Sequence, residues 1–535
     1  MIISGMNTME GVPEVITWPT RALKAAFDIG TRDSLRALGI PVNPDLEFIY
    51  IYHGRVYLIV DSMAITMMRL PGFRLESAGV KQEAVWSYLP DEITRPRTLW
   101  EKLQGILIAG GTILKLREVN RILGTQARAQ DIAQVEALGA QVAGAVSSRD
   151  LANLAEPMVD WMSHLFKVHL LASMMFTQGW TRLEQVCQKA GVDPSLVVAD
   201  SGGIVSSRVV SMLHHLAAEA TRYGIDLEAD GAWQALNAEP AMKKLLEEFL
   251  ETCGHRGFNE MEFATPRFRE EPDAVLVALR AQTTADPRET ARRAKQAGWS
   301  QVSGSHRRSV ARRVEEAQSK AALREATKDT TVRMANVMRQ WFLKASETLP
   351  DPQEIWLMTI EEIALWLRLR VAVKPETLDQ RRADLKTWRS LPPIETLFVD
   401  EATGVGHTVS MTGELVRKGE LRGMIASRGL HSEVEGRAVV AREPQAALEK
   451  IKKLHDEGEQ TLLLITRVTN VAWTAAFGSI GGIITEVGGV GSHAAIVARE
   501  YGIPALVGVP QAVSSIPDGT VVRLDCEQGI IQWKM

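Results

Sequence analysis

GGIITEVGGVGSHAAIVAREYGIPALVGV, residues 481–509, reads as strand, glycine bend, helix and strand in quick succession. Ile483 to Glu486 is an apolar, β-branched run. Gly488, Gly489 and Gly491 then permit backbone conformations closed to other residues and let amides approach an anion. Ser492 stands where a helix N-cap is expected, which puts His493 in the first turn. Free N–H groups and the positive end of the helix dipole collect there, so the bend is a place to hold phosphate. A neutral imidazole is a good nucleophile near pH 7. His493 therefore reads as a nucleophile or, equally well from composition, as a capping residue on a tight turn.

Working outward, RAVVAR, TLLLIT, PALVGV, TVVRLD and GIIQW are short β-rich runs, and EPQAALEKIKKLHDEG between them is helical. They define an α/β (β/β/α) domain over 416–535. Leu391-Pro392-Pro393 breaks the preceding helix and ATGVGHTVSMTG, 402–413, is loop-like, so 391–415 is expected to be a hinge. From about 75 to 390 apolar residues recur at helical steps, with long charged helices over 286–345. EFIYIYHGRVYLIVDSM, 47–63, reads as a hairpin turning at His53-Gly54. The expected fold class is multidomain: a mainly α-helical substrate-binding domain with a small β section, 1–390, followed by the hinge and the C-terminal α/β domain.

Composition narrows the function. The chain has 535 residues, 61 Lys and Arg against 65 Asp and Glu, and a net charge of −4. Bulk-charge binding of nucleic acid is not expected. Three cysteines, Cys187, Cys253 and Cys526, make neither a disulfide frame nor a Cys-rich metal site. The opening MIISGMNTMEGVPEV lacks a basic and apolar leader, and no apolar run reaches a membrane-spanning length. The expectation is a cytoplasmic protein with no membrane partner and no metal of its own.

The bend resembles the phosphohistidine motif of the swivelling domain in PEP-utilising enzymes. The family pattern is Gly-Gly-x-x-Ser/Cys-His-Ala-Ala-Ile-x-Ala-Arg-x-x-Gly-Ile-Pro-Ala, and it stands here from Gly488 to Ala505. The resemblance implies that His493 is phosphorylated and that Gly488, Gly489, Gly491 and Ser492 hold the phosphate. One departure is Val490-Gly491, where some members carry a threonine near the histidine; Gly491 has no hydroxyl, so Ser492 and backbone amides would have to suffice. LRGMIASRGLHSEVEGRAVVAR, 421–442, resembles the entry to the same domain, and TRVTNVAWTAAF, 466–477, the run before the active strand. Trp473 in that run reads primarily as core.

Residues 1–390 resemble the acceptor-binding part of rifampin phosphotransferase and of the large subunit of phenylphosphate synthase. The run FLETCGHRGFNEMEFATPRFREEP, 249–272, carries this likeness, with DPQEIWLMTIEEIALWL, 351–367, as a structural companion. His255, Arg256, Glu260 and Arg267 could line a transfer site, with Arg256 and Arg267 on phosphate and His255 or Glu260 as base. The competing reading is an ion-paired turn that fixes the helices. Thirteen Trp and 19 Met, and the run WMSHLFKVHLLASMMF, 161–176, could wall an aryl pocket or simply fill a core. Neither an ATP-grasp domain nor a pyruvate-binding barrel is recognisable. The expectation is therefore a separate ATP-grasp subunit that binds ATP and Mg²⁺, in a hetero-oligomer, and a phenolic acceptor such as 4-cresol, with AMP and phosphate as by-products. A rifamycin-type acceptor, or a phosphocarrier without acceptor chemistry, is the alternative.

Overall fold

Apolar runs without alternation belong in strands covered on both faces. TLLLIT and GGIITE are such runs, and in the computed structural model both become fully buried strands. The structure describes residues 1–4, 14–67, 110–111, 115–202, 204–257, 259–282, 286, 288–391, 394, 396–399, 406–408, 419–470, 473–489 and 491–533. Most of the expected hinge, and Val490 within the glycine bend, lie outside these residues. The chain divides into two units, one formed by 1–172, 259–264 and 327–413 and the other by 173–258, 265–326 and 414–535.

The first unit holds an antiparallel sheet of five strands, β1 (Ile2–Ser4), β2 (Ile49–Tyr52), β3 (Arg55–Ile59), β4 (Thr396–Val399) and β5 (Gly406–Thr408), in the order β2-β3-β1-β4-β5. The expected hairpin is β2–β3. His53 and Gly54 both take positive φ, 44° and 67°, as a two-residue turn demands. Two strands were not expected within 391–415. Gly406–Thr408 corrects the loop reading there: its partner β4 pairs with β1, at the opposite end of the chain, so no local pattern announces the ladder. Helices Ala22–Ala37, Thr125–Gly144, Ile360–Leu369 and Pro375–Ser390 belong to this unit, and its core includes Met158, Met162, Leu165, Phe263, Met338, Trp341 and Phe342. The Met and aromatic positions up to Leu165 are thus core, as their helical spacing allows.

The second unit is built on eight strands: β6 (Glu420–Arg422), β7 (Met424–Ser427), β8 (Glu433–Val440), β9 (Leu462–Thr466), β10 (Gly482–Thr485), β11 (Ala505–Val507), β12 (Val521–Asp525) and β13 (Ile530–Trp533). Their order is β6-β13-β12-β8-β9-β10-β11-β7, and the run β8-β9-β10-β11 is parallel. Val439, Leu464, Ile483 and Val507 point into one core, and Ala438, Leu463, Ile484 and Leu506 into a second on the other face. The first of these cores also takes in residues of Val205–Arg222, Pro240–Cys253 and Pro272–Arg280, so the sheet and these helices share a single apolar interior. Among the described residues no helix is long and apolar enough to cross a membrane.

Candidate active site

Parallel β10 and β11 are joined by the helix His493–Tyr501, a βαβ crossover. Ligand sites in such sheets lie beyond the carboxyl ends of the strands. The glycine bend leaves β10 at that end. Gly488 has φ 139°, and a Cβ there would stand 3.1 Å from Ser492 Oγ, so the turn requires glycine. Ser492 is the N-cap: φ −66°, ψ 159°, with its Oγ accepting the Ala495 N–H at 3.2 Å. His493 is therefore the first helical residue, where the helix dipole is positive.

The imidazole is 1% exposed. Its Nδ1 lies 3.1 Å from Thr469 Oγ1 and its Nε2 3.4 Å from Thr474 Oγ1. The Phe477 ring stands edge-on, 6.1 Å between centroids. A hydroxyl both donates and accepts, so one threonine takes the ring N–H while the other donates to the lone-pair nitrogen. Neither threonine was singled out from sequence. Thr469 follows β9, the parallel neighbour of β10, and that adjacency was the available signal. Trp473, in the same run, is buried in the core.

The far end of the same helix is equally enclosed. Arg499 is buried, its guanidinium 3.7 Å above the Trp180 ring and its Nε donating to the Ala426 carbonyl at 2.8 Å. Burial lowers its pKa to about 10. The Glu500 carboxylate accepts the Ser201 N–H at 3.1 Å, the Ser201 hydroxyl at 2.6 Å and the Gly202 N–H at 2.7 Å. Between these residues a cavity of about 30 Å³ is lined by Phe176, Trp180, Ile204 and Ile496 among others. It has room for a water molecule or two, and none for an organic acceptor. Phe176 closes over the bend, 3.5 Å from where a Cβ on Gly491 would stand.

The candidates in 249–272 behave differently. Arg256 and Arg267 are among the largest fully buried side chains. Their segments are pinned together by Phe268 N–H to the Arg256 carbonyl at 2.7 Å and Arg269 N–H to the Gly254 carbonyl at 3.2 Å. Arg267 also donates to the Thr265 carbonyl at 2.9 Å. His255 is buried in the same unit, and Glu260 is buried in the first. Glu262, beside Glu260, accepts from Thr17 N–H and hydroxyl, Thr20 hydroxyl and Ala264 N–H. The run thus sets buried charged side chains on a backbone-paired turn.

Residues 458–529 match the family of the PEP-utilising enzyme mobile domain. Over that segment the chain is similar to the mobile domain. Residues 168–343 match the rifampicin phosphotransferase fourth domain, which includes Phe176, Trp180 and Ser201 opposite the His493 helix. Rifampicin phosphotransferase of Streptomyces sp is 30% identical over 333 residues, 57% of this chain and 36% of that one. The Bacillus subtilis enzyme of the same name is 32% identical over 223 residues, 40% and 23% of the two chains. Phosphoenolpyruvate synthase of Aeropyrum pernix is 38% identical over 120 residues, 22% and 13%. The matches span about a third or less of these relatives.

Proposed function

We propose that the chain is a phosphotransferase in which His493 carries a phosphoryl group from ATP to a hydroxyl of a small organic acceptor. The observation that carries this reading is the imidazole at the start of the βαβ crossover helix, on a glycine bend, inside the segment that matches the mobile domain. Thr469 and Thr474 hold the two ring nitrogens, and the nitrogen left without the proton is the attacking atom. ATP and water give AMP, inorganic phosphate and phosphoryl-histidine. The acceptor oxygen then attacks phosphorus, the P–N bond breaks, and the hydroxyl proton ends on the imidazole. Backbone amides at the bend and Ser492 would hold the phosphate oxygens.

The acceptor expected from sequence was a phenol such as 4-cresol. The relatives above are named for rifampicin or phosphoenolpyruvate, so they support the rifamycin-type alternative better. ATP and Mg²⁺ are assigned to a separate ATP-grasp subunit, with which this chain would act as a hetero-oligomer. Mixing the chain with an ATP-grasp polypeptide, ATP, Mg²⁺ and either rifampicin or 4-cresol tests the reading. Phosphorylated rifampicin with AMP and phosphate is the expected product. 4-Cresyl phosphate in its place would restore the phenol, and labelled His493 with neither product would make the chain a carrier.

A further inference from the structure

The helix that begins at His493 ends in a residue the family pattern leaves free. Glu500 lies seven positions on, roughly 10 Å along the axis. It is buried, yet its carboxylate is satisfied by three donors from Ser201 and Gly202. The reverse contact is made as well, Asp200 N–H donating to the Glu500 carbonyl at 3.0 Å. Hydrogen bonds to a buried carboxylate are the strong kind, and breaking them leaves a charge without partners. Arg499 on Trp180 and the Arg428–Asp193 ion pair join the same two regions. Gly502, just after the helix, has φ 64°, and a Cβ there would stand 2.7 Å from Ala294 Cβ. All these groups lie within the second unit.

We propose that Glu500 is a positioning residue: by clasping the Ser201–Gly202 backbone it seats the phosphohistidine helix against the 173–326 helices with the imidazole enclosed. The clasp has to open for His493 to meet a phosphoryl donor. The proposal rests on the reading of His493 as carrier, but its test does not need phosphate. The full chain, without nucleotide, is treated with diethyl pyrocarbonate, and carbethoxylation of His493 is followed by peptide mass spectrometry against exposed His431 as internal reference.

In the wild type His493 reacts far more slowly than His431. Glu500→Ala raises the His493 to His431 ratio by about tenfold or more, because three donors lose one charged acceptor. Glu500→Gln keeps an acceptor oxygen and falls between. Ser201→Ala removes one donor and gives a smaller rise, about threefold. Should Glu500→Ala fail to fold, Ser201→Ala decides: the ratio must rise with melting temperature and circular dichroism unchanged. A wild-type His493 as reactive as His431, or a ratio that no folded variant moves, overturns the clasp. A chain phosphorylated at His493 but indifferent to these variants loses only the clasp, whereas one that passes this test and never takes up phosphate loses only the carrier.

Discussion

Two threonines hold the His493 ring in direction, as the proposed carrier role needs. Thr469→Val removes the shorter bond and is expected to slow phosphoryl uptake by about fivefold to tenfold, the worth of one net hydrogen bond. Rapid-quench labelling measures it; an unchanged rate would show that Thr469 does not orient the ring. His493→Ala should abolish uptake and lower stability by about 1–3 kcal/mol, since both hydroxyls lose a buried partner. Urea titration of the variant checks the second figure. The Cys187 thiol is pushed up to about 12 by burial, and Cys526 likewise. At pH 8 roughly one such thiol in ten thousand is ionised. Native protein should therefore show neither reacting with a thiol reagent within minutes, and both reacting in denaturant.

The βαβ crossover was legible in the sequence because every local signal agreed. Apolar runs gave strands buried on two faces, Gly488 gave the bend and Ser492 the cap. The first unit's sheet was not, because β1 and β4 pair across nearly the whole chain and each is a strand of three or four residues. The burial of Arg256 and Arg267 was not legible for a related reason: a sequence shows that two arginines are close, not that both are buried beside a backbone-paired turn. The helix itself carries one more prediction. Gly502 ends it in the left-handed region, and its Cα packs against Ala294. Gly502→Ala is expected to cost about 1 kcal/mol for the conformation, and more for the contact. A melting temperature equal to wild type would mean that neither constraint acts.

At the scale of the molecule, the sheet of the second unit and the helices of 173–326 share one apolar core. If His493 is the carrier proposed above, its enclosure shields its phosphoryl group, since phosphohistidine left in water hydrolyses. On the same proposal, delivery and loading need the helix to leave its seat. Electrostatics gives little help in choosing a partner, because a net charge of −4 on 535 residues steers weakly. The choice is left to shape and to the groups at the bend.

The most direct measurement feeds the purified chain and its His493→Ala variant with β-³²P-labelled ATP in an extract of the source cells, which supplies any nucleotide-binding subunit. Peptides are then mapped at alkaline pH, where a P–N bond survives. Acid-labile label on the His493 peptide of the wild type, absent from the variant, is the predicted result. No label on the chain, or label that persists in the variant, would contradict it.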